Sequence, residues 1–307
     1  MFHAGASCSL DGKRHKEIVM KEKDQQTYFT LPRKMVAAMT GESWEHIPHA
    51  VFTYEAGVER LLEVLQEHNK AHPDEHVTVN SAMLKLIAEA LAAAPRMNGH
   101  IHYRRWMVSG SIRLFSNVDI SVPVRFPGAF MVPVTIRGLE KKSMREIGAC
   151  INDCIRRAAA SNMEEVMYEV SIHDTLAELS HGHIIKAAGR LAGALVDRKH
   201  MRSLGPKERR AYRRGPKEGR LSWQDLQQGT ISVSNIGSLY KEWKGQCTLL
   251  EIVPPQLSCI GLGAIRDGVL PMTIAFDHRA LDADDVIPFM RKLDELLASE
   301  ELLRKLL

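Results

Sequence analysis

The sequence predicts an α+β fold in which helices cover a largely antiparallel or mixed sheet, and three observations predict it. Residues 49–54 and 118–124 alternate apolar and polar side chains as half-buried strands do. Between and after them, apolar residues recur at helical spacing. The last forty residues or so hold a buried strand, a histidine and an apolar-periodic helix, a unit that closes a sheet and docks a helix on it. At 307 residues, 45% hydrophobic and 25% charged, the chain can bury a sizeable core.

In order along the chain, residues 1–26 are polar and lysine-rich and read as an arm that orders only on a partner subunit. Residues 27–307 read as the folded domain. Leu61, Leu62, Val64 and Leu65 place a helix at 58–70, and Met83, Leu84, Leu86, Ile87 and Leu91 place another at 79–94. Thr78 or Asn80 is positioned to cap the second helix, and Pro95 ends it. After Pro127-Gly128, residues 130–136 read as the return strand of a hairpin with 118–124. Residues 143–160 continue as helix. Near the C-terminus, 271–276 is a short buried strand and 283–307 an apolar-periodic helix.

The five cysteines, Cys8, Cys150, Cys154, Cys247 and Cys259, are odd in number and scattered, which predicts reduced thiols. Cys150 and Cys154 share a helix face but lack further ligands, so packing is the better reading than zinc. His181 and His183, and the pairs His46/His49 and His100/His102, are read as solvated, capping or structural, and no bound metal is expected. No uninterrupted apolar stretch is long enough to span a bilayer, and 1–23 lacks the apolar block of a secretory signal. A cytoplasmic location, possible at a membrane periphery, is the expectation.

The strand-to-helix junction carries Phe276-Asp277-His278-Arg279-Ala280-Leu281-Asp282. A histidine at a strand end can present its imidazole to a cleft, and imidazole titrates near neutrality, so His278 is a candidate general base. The spacing Asp277-His278-Arg279-x-x-Asp282 resembles the histidine signature of the catalytic core of dihydrolipoamide acyltransferases of 2-oxo acid dehydrogenase complexes, related to chloramphenicol acetyltransferases. Ala283 stands where that family has glycine. Further segments stand in the same order: Pro32-Arg33-Lys34, Met131-Val132-Pro133-Val134, Gly229-Thr230-Ile231-Ser232-Val233-Ser234-Asn235-Ile236-Gly237, and Pro254-Pro255-Gln256. The resemblance covers the chain from about Thr30 to its end with one interruption.

The resemblance implies a chloramphenicol acetyltransferase-like two-layer sandwich that assembles as homotrimers or assemblies of trimers. It implies coenzyme A or acyl-coenzyme A as substrate, His278 as base and Ser234 as hydrogen-bond donor to the tetrahedral oxyanion. Asp282 has two readings: it orients the imidazole, or, as the resemblance implies, it pairs with Arg33 to shape the site. Residues 1–30 are too short for a lipoyl domain, so no covalent lipoyl group is expected on this chain and a separate lipoyl carrier protein is a candidate partner.

The main departure is an insertion at 163–220. Ile184, Ala188, Leu191 and Leu195 line one face of a helix there. Beyond it, 202–220 holds eight basic residues against Glu208 and Glu218, a local +6 that exceeds the whole-chain +4. Arg209, Arg210, Arg213 and Arg214 are therefore candidate anion-binding residues, for a membrane surface of anionic lipid or an acidic partner. The scarcity of aromatics beside Tyr212 speaks against nucleic acid. Three functions follow: a stand-alone coenzyme A-dependent acyltransferase, the leading reading; a core acyltransferase subunit of a dehydrogenase complex; and a non-catalytic scaffold whose insertion binds a membrane or partner.

Overall fold

The computed structural model describes residues 28–125, 131–180, 184–196, 204–248 and 250–307. The expected arm at 1–26, the turn at 127–128, and His181, His183 and Arg202 lie outside the described residues. The expected α+β class is present. Its centre is a six-stranded mixed sheet in the order β1-β8-β7-β6-β4-β5. These strands are β1 (His49–Gly57), β4 (Ile120–Arg125), β5 (Met131–Ile136), β6 (Ile231–Asn235), β7 (Ser258–Leu262) and β8 (Val269–Asp277). The pairs β1/β8, β7/β8 and β4/β5 are antiparallel, and β4/β6 and β6/β7 are parallel.

Helices α2 (Glu59–Ala71), α3 (Val79–Ala93), α4 (Met144–Ala159) and α8 (Ala283–Ala298) supply the layer on one face. Ile231, Val233, Ile260, Leu262, Met272, Ile274 and Phe276 point to that layer, and the main core lies between. α3 is its centre: Ser81 through Ala88, then Ala90 and Leu91, are buried, as expected of a helix packed on several sides. Thr78 caps it in a reciprocal box with Ser81, and Ser143 caps α4 with Glu146 in the same way. The expected C-terminal helix is two: Ser299 takes an extended backbone, and its hydroxyl accepts from Leu302 N–H to start α9 (Glu300–Leu306).

The opposite face is crossed by α1 (Leu31–His46), a helix the apolar pattern did not announce. Leu31 packs with Val124, Val132 and Val134 of β4 and β5, whereas Ile47 packs with Cys259 and Ala275 of β7 and β8. Sixteen residues rise about 24 Å, and five strand spacings also span about 24 Å. α1 is therefore long enough to strap the sheet from one edge to the other. A separate hairpin, β2 (Gly99–Arg104) and β3 (Ser109–Leu114), leaves the sheet where the chain enters β7, with Ile101 N–H donating to Pro255 O and Leu257 N–H to Gly99 O. Trp106 and Val108 at its tip are 83% and 81% exposed.

In the insertion, α5 (Met163–Ser180) and α6 (Ile184–Val196) pack together. The predicted basic loop contains a helix, α7 (Pro206–Arg214), begun by Pro206 at its first position and by Glu208, which accepts from Gly205 N–H.

Candidate active site

The turn after β8 is built by Asp277. Its carboxylate is fully buried and receives Arg279 Nε at 2.9 Å, Arg279 Nη2 at 2.6 Å and Arg279 N–H at 3.0 Å. Its carbonyl accepts from the N–H groups of Ala280 and Leu281, both at 3.0 Å. The chain thereby reverses within four residues, and the Leu281 carbonyl comes to 3.0 Å from His278 Nδ1. A carbonyl only accepts, so Nδ1 carries the proton and Nε2 keeps its lone pair. The His278 side chain is 55% exposed, and Asp282 Oδ1 lies 3.4 Å from the same Nδ1. His278 is thus presented to solvent in the tautomer a base requires.

Within the chain, Asp282 lies beside His278. Its side chain is 81% exposed and faces His278, while Arg33 is exposed and makes no ion pair among the described residues. The physical reason is α1: Arg33 sits two residues from Leu31, at the β4/β5 side of the sheet, whereas Asp282 follows β8. The structure does not bring the two together.

Ser234 lies on β6, on the face away from the helix layer, and its hydroxyl has no hydrogen-bond partner among the described residues. The residues around it explain its motif as a scaffold. Gly229 and Gly237 allow close approach, because a Cβ at either would stand 2.3 Å from Asp119 O or 2.0 Å from Gly263 O. Thr230 Oγ1 donates to Asp119 O and accepts from Asp119 N–H. Gln256, wholly buried, donates from Nε2 to Gly229 O at 2.9 Å and accepts from Ser232 Oγ at 2.7 Å. The Pro254-Pro255 peptide before it is cis. A pocket of about 220 Å³ opens beside Ser234's neighbours Gly261 and Thr273, bounded also by Thr53, Gln246 and Cys247.

One chain does not unite Ser234 with His278. Ser234 is in register with Gly261, and Gly261 with Thr273, five residues before His278. Five strand residues and two strand spacings separate their backbones by roughly 19 Å. Side chains of their size cannot close that gap.

His49 and His100 are held by hydrogen bonds to the backbone. His49 Nδ1 donates to Ile47 O, and Nε2 accepts from Ile252 N–H, with Trp44 stacked on the ring. Burial foremost lowers the pKa of His100, whose Nε2 donates to Gly229 O. Cys154 is buried, and burial, helped by nearby Asp225, pushes its thiol up to about 11, as suits a packing residue. Among the described residues no three metal-ligating side chains converge, and no helix is long and apolar enough to cross a membrane.

The four insertion arginines divide into two pairs. Arg209 and Arg213 reach Glu165 of α5, at 3.3 and 3.5 Å, and hold α7 to the protein. Arg210 and Arg214 face solvent. The stripe on α6 exposes Ile184 and Leu191, and neighbouring α5 exposes Ile172, Leu176 and Leu179.

The family model for 2-oxoacid dehydrogenases acyltransferase (catalytic domain) matches residues 21–169 and 195–304. The chain belongs to this family. The break in the match, 170–194, falls inside the insertion and takes in the second half of α5 and most of α6. A dihydrolipoyllysine-residue acetyltransferase component of the pyruvate dehydrogenase complex from Zymomonas mobilis is 24% identical over 280 residues, covering 86% of this chain and 48% of the relative. This acyltransferase domain therefore spans about half the length of the curated relatives it matches over most of its own length.

Among solved structures, the Azotobacter vinelandii dihydrolipoamide acetyltransferase superposes with a TM-score of 0.61 at 15% identity, covering 94% of this chain and 97% of that one. That structure belongs to an investigation of a serine, a histidine and an asparagine in its catalytic mechanism. The cubic core of a pyruvate dehydrogenase multienzyme complex matches with a TM-score of 0.59 at 15% identity, covering the same shares of each chain. At these identities the likeness is one of fold. The chain shares its overall fold with those cores.

Sequence reasoning assigned no role to Asp277 and Arg279, although both stood in the quoted motif. An acid and an arginine two residues apart across a histidine, immediately after a strand, was the available signal.

Proposed function

We propose that the chain transfers an acyl group between the thiol of coenzyme A and a dihydrolipoyl thiol borne by a carrier, as the core acyltransferase of a 2-oxo acid dehydrogenase complex. The family match over both halves of the chain carries this reading and favours it over a stand-alone enzyme. His278 Nε2 takes the proton of the attacking thiol, and the thiolate adds to the thioester carbonyl. Ser234 donates its hydroxyl to the oxyanion. Collapse expels the second thiolate, which takes the proton back from the imidazolium, and no acyl-serine forms. Asp282, 3.4 Å from Nδ1, favours the imidazolium while it exists.

The site is completed between copies. His278 of one protomer meets Ser234 of a neighbour in a homotrimer or an assembly of trimers, a reading supported by their wide separation in one chain and by the unpartnered Ser234 hydroxyl. Arg279 lies over the Tyr103 ring, so the exposed β2–β3 hairpin rises from the His278 side, where a neighbour would cover it.

The test is purified protein with acetyl-coenzyme A and dihydrolipoamide, comparing His278→Ala and Ser234→Ala. Loss of the base should lower kcat by about 10²- to 10⁴-fold. Equal turnover by the wild type and His278→Ala would remove the proposed mechanism.

A further inference from the structure

The proposed mechanism requires a bare Nε2 on His278, yet free imidazole in water does not by itself hold the proton on Nδ1. What holds it there is the Leu281 carbonyl at 3.0 Å. That carbonyl has no regular secondary structure to fix it, because Leu281 lies between the turn at 278–280 and the start of α8. Its position depends on Asp277, whose carbonyl binds Ala280 N–H and Leu281 N–H while its carboxylate is held by Arg279. A second tie reaches the turn from outside: Arg96 Nη2 donates to Ala280 O at 3.1 Å, and Arg96 Nε lies 3.3 Å from Asp285.

We propose that Arg279 is a positioning residue for His278: by clamping buried Asp277 through two guanidinium nitrogens and its own backbone N–H, it fixes the 277–281 turn and so sets the tautomer of the base. The clamp needs an arginine. Nε and Nη2 sit on both carboxylate oxygens at 2.6–3.1 Å, a two-pronged grip that a lysine ammonium cannot reproduce. The guanidinium is only 22% exposed and lies 5.4 Å from the Tyr103 ring centroid, which limits its freedom further. The inference rests on reading His278 as the base. It adds that Arg279, which need touch no substrate, is required for turnover.

Two variants test it. Arg279→Met alone would strand a buried carboxylate, so the charge-balanced Asp277→Asn/Arg279→Met protein is used, with Arg279→Lys as the conservative partner. The readout is nitrogen NMR of His278 in the intact protein, which reports the protonated nitrogen without turnover, alongside kcat, KM and the pH profile of transfer.

Wild type is expected to show protonated Nδ1. The double variant is expected to show a mixture in which Nε2 protonation rises, with kcat falling about tenfold or more, KM within about twofold, and the acid limb of the profile displaced. Arg279→Lys is expected to fall between. A folded double variant with the wild-type tautomer and kcat overturns the proposal. Should the double variant fail to fold, an unchanged tautomer and kcat in Arg279→Lys overturns it instead. If wild type transfers no acyl group, or His278→Ala transfers as well as wild type, the base assignment fails; the NMR signal still judges the clamp.

Discussion

Replacing Gln256 by leucine tests whether β6 is held in place by a buried amide. Gln256 is wholly buried and bridges Gly229 O and Ser232 Oγ, at 2.9 and 2.7 Å, two residues before Ser234. Leucine fills similar space and makes neither bond. Gly229 O keeps a donor, His100 Nε2 at 3.1 Å, so its loss is modest, about 1 kcal/mol. Ser232 Oγ keeps none, and an orphaned hydroxyl of this kind costs about 1–3 kcal/mol. Together they predict a loss of about 2–4 kcal/mol, or a urea midpoint about 1 M lower at an m-value near 3 kcal/mol per M.

The assay is urea unfolding at one fixed protein concentration, since association contributes to stability. Adding Ser232→Ala to Gln256→Leu removes the orphan and should restore about 1–2 kcal/mol. A single variant within about 0.5 kcal/mol of wild type, or no recovery in the double variant, would refute the reasoning.

Two further outcomes are expected. Gly237→Ala would force a methyl to 2.0 Å from Gly263 O, so the β6 end must shift; expression of folded protein or acyl transfer should fall sharply, while Gly189→Ala, which meets nothing within 4 Å, should leave both unchanged. Asp225 is opposed by its burial but held below the usual carboxylate range by Arg157, whose Nη1 and Nη2 bond it at 2.9 and 2.8 Å, and by Ser222. A depressed folded-state pKa stabilises above the unfolded value, and that stability is lost as pH falls through the folded one. Asp225→Asn should therefore lower stability near neutrality, and the difference from wild type should shrink as pH falls through the folded-state value, which flattens the acid end of the stability–pH curve.

The sequence made some elements plain and hid others for physical reasons. β8, His278 and α8 were legible because a run buried on both faces stops at a polar turn and gives way to helical spacing. α3 was legible because Thr78 and Pro95 punctuate a strongly apolar run. α1 was not, since its two ends bury against different strands and no single apolar stripe marks it; Pro32 at its first turn was the remaining clue. α7 was hidden because basic residues usually signify a solvated loop, and only Glu165, some forty residues earlier, shows why Arg209 and Arg213 stand on a helix. The expected Arg33–Asp282 pair does not form among the described residues of one chain, because motif order along a chain says nothing about which edge of a sheet α1 starts from. The Asp277–Arg279 clamp was written in adjacent letters, yet its meaning depends on the carboxylate being inside.

β1 pairs with β8 along its whole length, His49 opposite Asp277, so the first strand of the sheet waits for the last. At a synthesis rate of roughly 5–20 residues per second, that wait lasts about 10–45 s on the ribosome. During it, half-made chains expose an unpaired strand beside apolar helices, a state in which chaperone attendance would govern yield. No nascent chain can present the His278 ring at the end of β8 until that final pairing closes.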